Sequence, residues 1–178
     1  PVFIFDKNIL DKLENKEDQR VEFIHQAISS MNDQLQKYKS SIRVFHSTPA
    51  NAFKDLIHEY EVKAVYTNHD YETYAIDRDH SIAAFLKKNG ISFHTFKDQV
   101  IFEKDEILKD DGKPYTIFTP YSRKWKAKLD DFYLKSYPCK KYYSRFFQTK
   151  GLSIPTLSSL GFKPSGKSFP GSKPDEAI

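Results

Sequence analysis

The stretch YTNHDYETYAIDRD, from Tyr66 to Asp79, runs a β-rich segment into an aromatic and acidic loop and then into a helical pattern. The residues before it, VKAVY from Val62 to Tyr66, have the branched and aromatic content of a strand. After the loop, Ile82, Phe85 and Leu86 space a helix over Tyr74 to Asn89, and Gly90 supplies a residue able to close it in the left-handed conformation. ISFHTF, Ile91 to Phe96, reads as the next strand.

The same alternation extends towards the N-terminus. VFIF, residues 2 to 5, is a continuous apolar run of the kind a strand buried on both faces shows. Val21, Ile24, Ile28, Met31, Leu35 and Tyr38 recur every three or four residues and predict a helix over Arg20 to Tyr38. IRVFH, Ile42 to His46, predicts a strand; Ser47, Thr48 and Pro49 then give a hydroxyl cap followed by proline, and Phe53, Leu56, Ile57 and Tyr60 the buried face of another helix. The order β-α-β-α-β-α-β, with one helix per crossover, predicts an α/β fold: an open parallel sheet, flavodoxin-like or Rossmann-like, with helices on both faces.

Beyond Phe96 the spacing predicts a short strand at Val100 to Phe102, a turn at Asp110 to Gly112 and a short helix after Pro120. Beyond Pro138 the chain is rich in Ser, Pro, Gly and Lys and almost without periodicity. The expected division is an α/β domain over 1–137 and an irregular linker over 138–178.

Composition bounds the function. The 178 residues are 39% apolar, 15% aromatic and 29% charged, enough for one real core. No apolar run approaches the roughly 20 residues of a spanning helix. PVFIFDKNIL lacks the features of a signal peptide, so the expectation is a cytoplasmic protein with no membrane partner. The single cysteine, Cys139, can form no internal disulfide and reads as an ordinary thiol. Charge is uneven: net −4 over residues 1 to 120 and net +8 over 121 to 178. Arg123, Lys124, Lys126 and Lys128 surround the only tryptophan, Trp125, and Lys140, Lys141 and Arg145 follow. Such a region attracts phosphate backbones, but it also serves solubility or pairs with a neighbouring domain.

Several chemistries are excluded. The six glycines form neither GxGxxG nor a P-loop, no serine sits in a GxSxG elbow, and the histidines are scattered singly. Asp77, Asp79 and His80 lie mid-helix with no second ligand pair at metal spacing, and read as surface charges with local pairing. What remains is the loop Asn68-His69-Asp70-Tyr71-Glu72 at the carboxyl end of a strand, where a sheet of this kind exposes its binding crevice. Tyr71 offers a ring face, and Glu72 a carboxylate able to accept from a heterocycle's amino and ring N–H groups. The same residues also read as a turn at Asn68 or Asp70 and a cap at Glu72 or Thr73.

In order along the chain, PVFIFDKNIL, RVEFIHQAI, VYTNHDYETYAIDRD and KDDGKPYTIFTPYSRKW resemble the N-terminal antenna domain of the DNA photolyase and cryptochrome family, over residues 1 to about 126. The resemblance implies a flavodoxin-like domain packed on a helical FAD-binding domain of the same polypeptide, which is not within these residues. It also implies an antenna pigment, methenyltetrahydrofolate or a deazaflavin, although some members carry none. In the family the excited flavin donates an electron to a pyrimidine dimer flipped from damaged DNA, which then splits. In folate-binding members the glutamate of N-x-x-Y-E bonds the pterin, so the implied cofactor-binding residues are Glu72, with Asn68 and Tyr71 beside it. The resemblance further implies that a first strand and loop of type W-x-R-x-D-L-R precede Pro1, a central strand and one wall of the crevice. Trp125 is then a packing or interdomain residue rather than an electron carrier, and no catalytic residue falls in the chain. The expectation is an antenna domain of a light-driven deoxyribodipyrimidine photolyase. A cryptochrome without repair activity is the alternative, and a stand-alone nucleotide-binding module of similar topology is disfavoured by the missing phosphate loop.

Overall fold

The computed structural model describes residues 1–149 and 151–169, and the chain divides into two compact units. One comprises Pro1–Tyr60 and the described residues from Cys139 onward; the other is Glu61–Pro138.

In the first unit β1 (Val2–Asp6) leads through α1 (Lys7–Leu10) and α2 (Gln19–Gln36) to β2 (Arg43–Ser47), which pairs parallel with β1 in the register Phe3 to Val44 and Phe5 to His46. α3 (Pro49–Glu59) follows. Side chains alternate across a strand, so Phe3, Phe5 and Val44 share a face. That face meets Val21 and Ile28 of α2 in the main core, while α3 packs on β1 and β2 with Ala52 and Leu56 buried. Each helix starts on an acceptor. The Asp18 carboxylate takes the Arg20 N–H at 2.9 Å, and Thr48 Oγ1 takes that of Asn51 at 3.4 Å with Pro49 in the first turn.

The segment expected as a linker is irregular, apart from 3₁₀ turns at Cys139–Arg145 and Ser158–Leu160, but it is not free of the domain. Leu160 and Phe162, each 3% exposed, lie in the core with Phe5 and Val44. Buried Asn32 of α2 accepts the Ile42 N–H at 2.8 Å and donates to the Leu152 carbonyl at 3.3 Å. Glu22 accepts the Ser165 N–H at 2.8 Å, and these bonds from Ser165 hold its carboxyl below the usual range. Periodicity missed this because the segment docks through a few isolated apolar residues and backbone groups. Lys150 and residues 170–178 of the expected linker lie outside the described residues.

In the second unit β3 (Ala64–Asn68) leads through α4 (Thr73–Lys88) to β4 (Ser92–Phe96), again parallel, pairing Val65 with Phe93 and Asn68 with Phe96. Ala75, Ile82 and Leu86 of α4 are buried, and Gly90 closes the helix at φ +71°. On the strands, Tyr66, His94 and Phe96 form a stacked strip in which Tyr66 is 68% exposed. α5 (Phe118–Lys128) and α6 (Asp131–Leu134) complete the unit.

The α/β class with parallel strands stands, but among the described residues the strands form two separate two-stranded ladders rather than one continuous sheet. The strand expected at Val100 to Phe102 is also absent: Phe102, 6% exposed, turns inward instead and sets its ring against Trp125 and Tyr133 at 5.4 and 4.7 Å. Burying one aromatic ring in that cluster outweighs a three-residue ladder. α5 begins two residues before Pro120, whose ring is tolerated in a first turn. Among the described residues no helix is long and apolar enough to cross a membrane.

Two substitutions test this architecture. Phe162→Ala is expected to cost about 3 kcal/mol in urea unfolding, where a residue in a free linker would cost nearly nothing. Asp18→Ala is expected to lose about 1 kcal/mol of cap energy. Hydrogen bonds from Arg20 hold the Asp18 carboxyl at about 2 against an ordinary 3.8. Its contribution is therefore complete above the ordinary value and is lost as the pH falls towards 2, a dependence that Asp18→Asn abolishes.

Candidate functional site

Because β3 and β4 run parallel, their carboxyl ends lie side by side, and the His69 N–H continues the ladder by donating to the Phe96 carbonyl at 2.9 Å. The loop from Asn68 to Glu72 is folded on acceptors. Asp70 Oδ1 takes the N–H groups of Tyr71 at 2.6 Å and Glu72 at 3.4 Å and the Gln99 amide at 3.2 Å. Asn68 donates through Nδ2 to Asp98 at 3.0 Å.

One carboxylate oxygen gathers the loop's two rings. Glu103 Oε2 accepts the Tyr71 hydroxyl at 2.6 Å and stands 2.7 Å from His69 Nε2, with the rings 5.8 Å apart, edge to face. The hydrogen bonds from Tyr71 and His69 hold Glu103 below the usual carboxylate range; the bond to Glu103 pushes the Tyr71 phenol up to about 12. Both groups therefore keep their neutral-pH forms, an anion and an intact phenol.

Glu103 is itself anchored. Its N–H donates to Glu106 Oε2 at 2.7 Å, and Lys97, just past β4, donates to both Glu106 oxygens at 2.9 and 2.7 Å. Lys97 lowers the Glu106 pKa and has its own raised in return. Lys128 of α5 donates to the Glu106 carbonyl at 2.6 Å, and its ammonium lies 5.4 Å from the Phe102 ring centre. An open cleft of about 620 Å³ lies over these groups, with walls that include His69, Thr95, Phe96, Lys97, Glu103 and Glu106.

Of the three residues expected to bind a cofactor, Asn68 is engaged with Asp98, Tyr71 donates to Glu103, and none is among the cleft's walls. Glu72 adopts an extended backbone at the start of α4 but makes no side-chain cap, so the capping role is not what occupies its carboxylate. Glu72 is exposed, and its hydrogen bond as an acceptor is through its carbonyl, which takes the Ile76 N–H at 3.0 Å, and not through its side chain. His69, Lys97, Glu103 and Glu106 were missed as site residues. The signal available was their position: His69 directly follows β3, Lys97 directly follows β4, and the two carboxylates cluster a few residues on.

Trp125 packs on Phe102, which agrees with a packing role. Lys124 pairs with Asp110 at 3.0 Å, and Lys141 and Arg145 lie over the Tyr142 ring. Asp79 pairs with Arg78, and among the described residues no group of three His, Cys, Asp or Glu side chains could hold a metal ion.

A model of the DNA photolyase family matches residues 1–141. The chain belongs to that family. It is 31% identical over 108 residues to a deoxyribodipyrimidine photo-lyase of Synechococcus sp., a match covering 61% of this chain and 22% of the relative. It is 29% identical over 110 residues to cryptochrome-2 of Arabidopsis thaliana, covering 61% and 17%. Among solved structures, an archaeal photolyase from Sulfolobus tokodaii containing two FAD molecules superposes with a TM-score of 0.59 at 26% identity, covering 73% of this chain and 29% of that one. The chain thus spans about a fifth of the length of these two relatives, and it represents the N-terminal photolyase-family domain.

The anchoring of Glu103 can be checked directly. Glu106→Ala removes the acceptor for Lys97 and for the Glu103 N–H, and a charge-assisted bond of this kind contributes about 1.5 kcal/mol or more. Exchange of the Glu103 amide, followed by NMR, is expected to quicken at least tenfold while the amides of β3 and β4 keep their protection.

Proposed function

We propose that this chain is the antenna-pigment domain of a deoxyribodipyrimidine photolyase that repairs DNA with light. The observation that carries the reading is Glu72, an exposed carboxylate with no capping bond, held at the carboxyl ends of two parallel strands. The pigment assigned to the loop is methenyltetrahydrofolate, with Glu72 accepting from the pterin amino and ring N–H groups. Tyr71 and Asn68 shape the loop through their partners Glu103 and Asp98. Light energy collected here passes to FAD in a helical domain of the same polypeptide. The flavin then gives an electron to the dimer in damaged DNA, and the dimer's carbon–carbon bonds break. Residues of this domain place the pigment, and none of them takes part in bond cleavage. The protein acts in the cytoplasm.

Cryptochrome is the second reading, favoured by the likeness to cryptochrome-2. It predicts the same pigment and flavin with no repair. The full-length protein, purified in the dark, is expected to show flavin bands and a folate band in the near ultraviolet, and to remove dimers from irradiated DNA under blue light. Glu72→Ala is expected to abolish the folate band and to leave the flavin bands and repair at saturating light intact. Flavin without dimer loss would move the assignment to cryptochrome, and absence of flavin would overturn both.

A further inference from the structure

We infer that Glu103 is a positioning residue for the pigment loop: by holding His69 and Tyr71 on one oxygen it fixes the backbone that presents Glu72. This rests on the folate reading for its ligand but on geometry for its mechanism.

Two side chains of the loop, two residues apart, converge on Glu103 Oε2 at 2.7 and 2.6 Å. Tyr71 immediately precedes Glu72, so fixing its side chain and the N–H groups that Asp70 accepts leaves Glu72 little freedom in where its Cα–Cβ bond points. Without Glu103 the loop keeps the Asp70 turn with its Gln99 bond, the ladder bond of His69 and the Asn68 bond to Asp98, none of which holds the Tyr71 side chain. Glu103 is fixed from behind by its backbone N–H, which donates to Glu106, and Lys97 in turn donates to both Glu106 carboxylate oxygens. The next residue, Lys104, has φ +46°, a left-handed conformation that a lysine adopts at a cost. Strain of that kind persists where surrounding bonds over-determine it, and here they aim the preceding carboxylate at the loop. Glu103 has no contact with the ligand in this account; it acts through Tyr71 and His69.

The test uses the full-length protein with Glu103→Ala, Glu103→Gln and Tyr71→Phe. Pigment-independent readouts come first. In Glu103→Ala the amides of residues 69 to 72 are expected to exchange at least tenfold faster while α4 and β4 are unchanged. One of the eleven tyrosines, whose ionisation the Glu103 bond holds up to about 12 in the parent, is expected to ionise in the ordinary range. Titration with 5,10-methenyltetrahydrofolate is then expected to show about tenfold weaker binding in Glu103→Ala. Glu103→Gln, which keeps an acceptor for the tyrosine hydroxyl, recovers most of it, and the effect of Tyr71→Phe is not additive with Glu103→Ala. Unchanged exchange at 69 to 72, or unchanged folate affinity with the loop loosened, overturns the inference. If the parent binds no folate, the pigment reading fails, and the exchange and tyrosine titration still decide whether Glu103 holds the loop. Should Glu103→Ala not fold, Glu103→Gln and Tyr71→Phe carry the same comparison.

Discussion

Parallel pairing of each strand with the next one of its unit is the constraint on which the rest depends. A parallel neighbour can be reached only by carrying the chain back along the sheet, so a helix must separate β1 from β2 and β3 from β4. The return puts the carboxyl ends of paired strands together. In the second unit this sets Asn68 beside Phe96, and the residues just beyond them, His69 and Lys97, become neighbours although they are far apart in sequence. Every polar contact of the candidate site descends from that adjacency.

The site is built outward from a buried aromatic cluster through successive hydrogen bonds. Aromatic burial around Phe102 fixes the segment after β4, with Trp125 and Tyr133 against its ring. Charge-assisted bonds from Lys97 and Lys128 then fix Glu106, Glu106 fixes the Glu103 backbone, and the Glu103 carboxylate gathers the loop. Glu72 is at the outermost tier, exposed and free to meet a ligand. In the proposed role, a side chain left unused on a held backbone suits low-cost recognition, because little ordering remains to be done when a ligand arrives.

The first unit answers a different need. Its ladder has only two strands, too few for a stable core by themselves. α2 and α3 cover it, and the chain beyond Cys139 returns to insert Leu160 and Phe162 beside Phe5 and Val44. Asn32 lies at the join, satisfied by the strand entry on one side and the returning segment on the other. A buried amide of that kind tolerates few alternative arrangements, since any slip leaves polar atoms unpaired.

Sequence alone determined the elements. Up to Phe96, apolar spacing set β1 to β4 and α2 to α4 to within two residues, because burial of one face is a local periodic demand, and Thr48-Pro49 and Gly90 marked helix ends by backbone chemistry that needs no partner. The motif N-x-x-Y-E, at the end of a strand, also located the loop that carries Glu72. The tertiary structure alone decided what those elements meet. No periodicity foretells that Phe102 leaves the strand pattern to be buried, that Phe162 rejoins the core, or that Glu103 reaches Tyr71 and His69 from more than thirty residues away. Such contacts are single long-range pairings with no repeat to announce them. They become visible only when parallel strands bring distant segments to one edge.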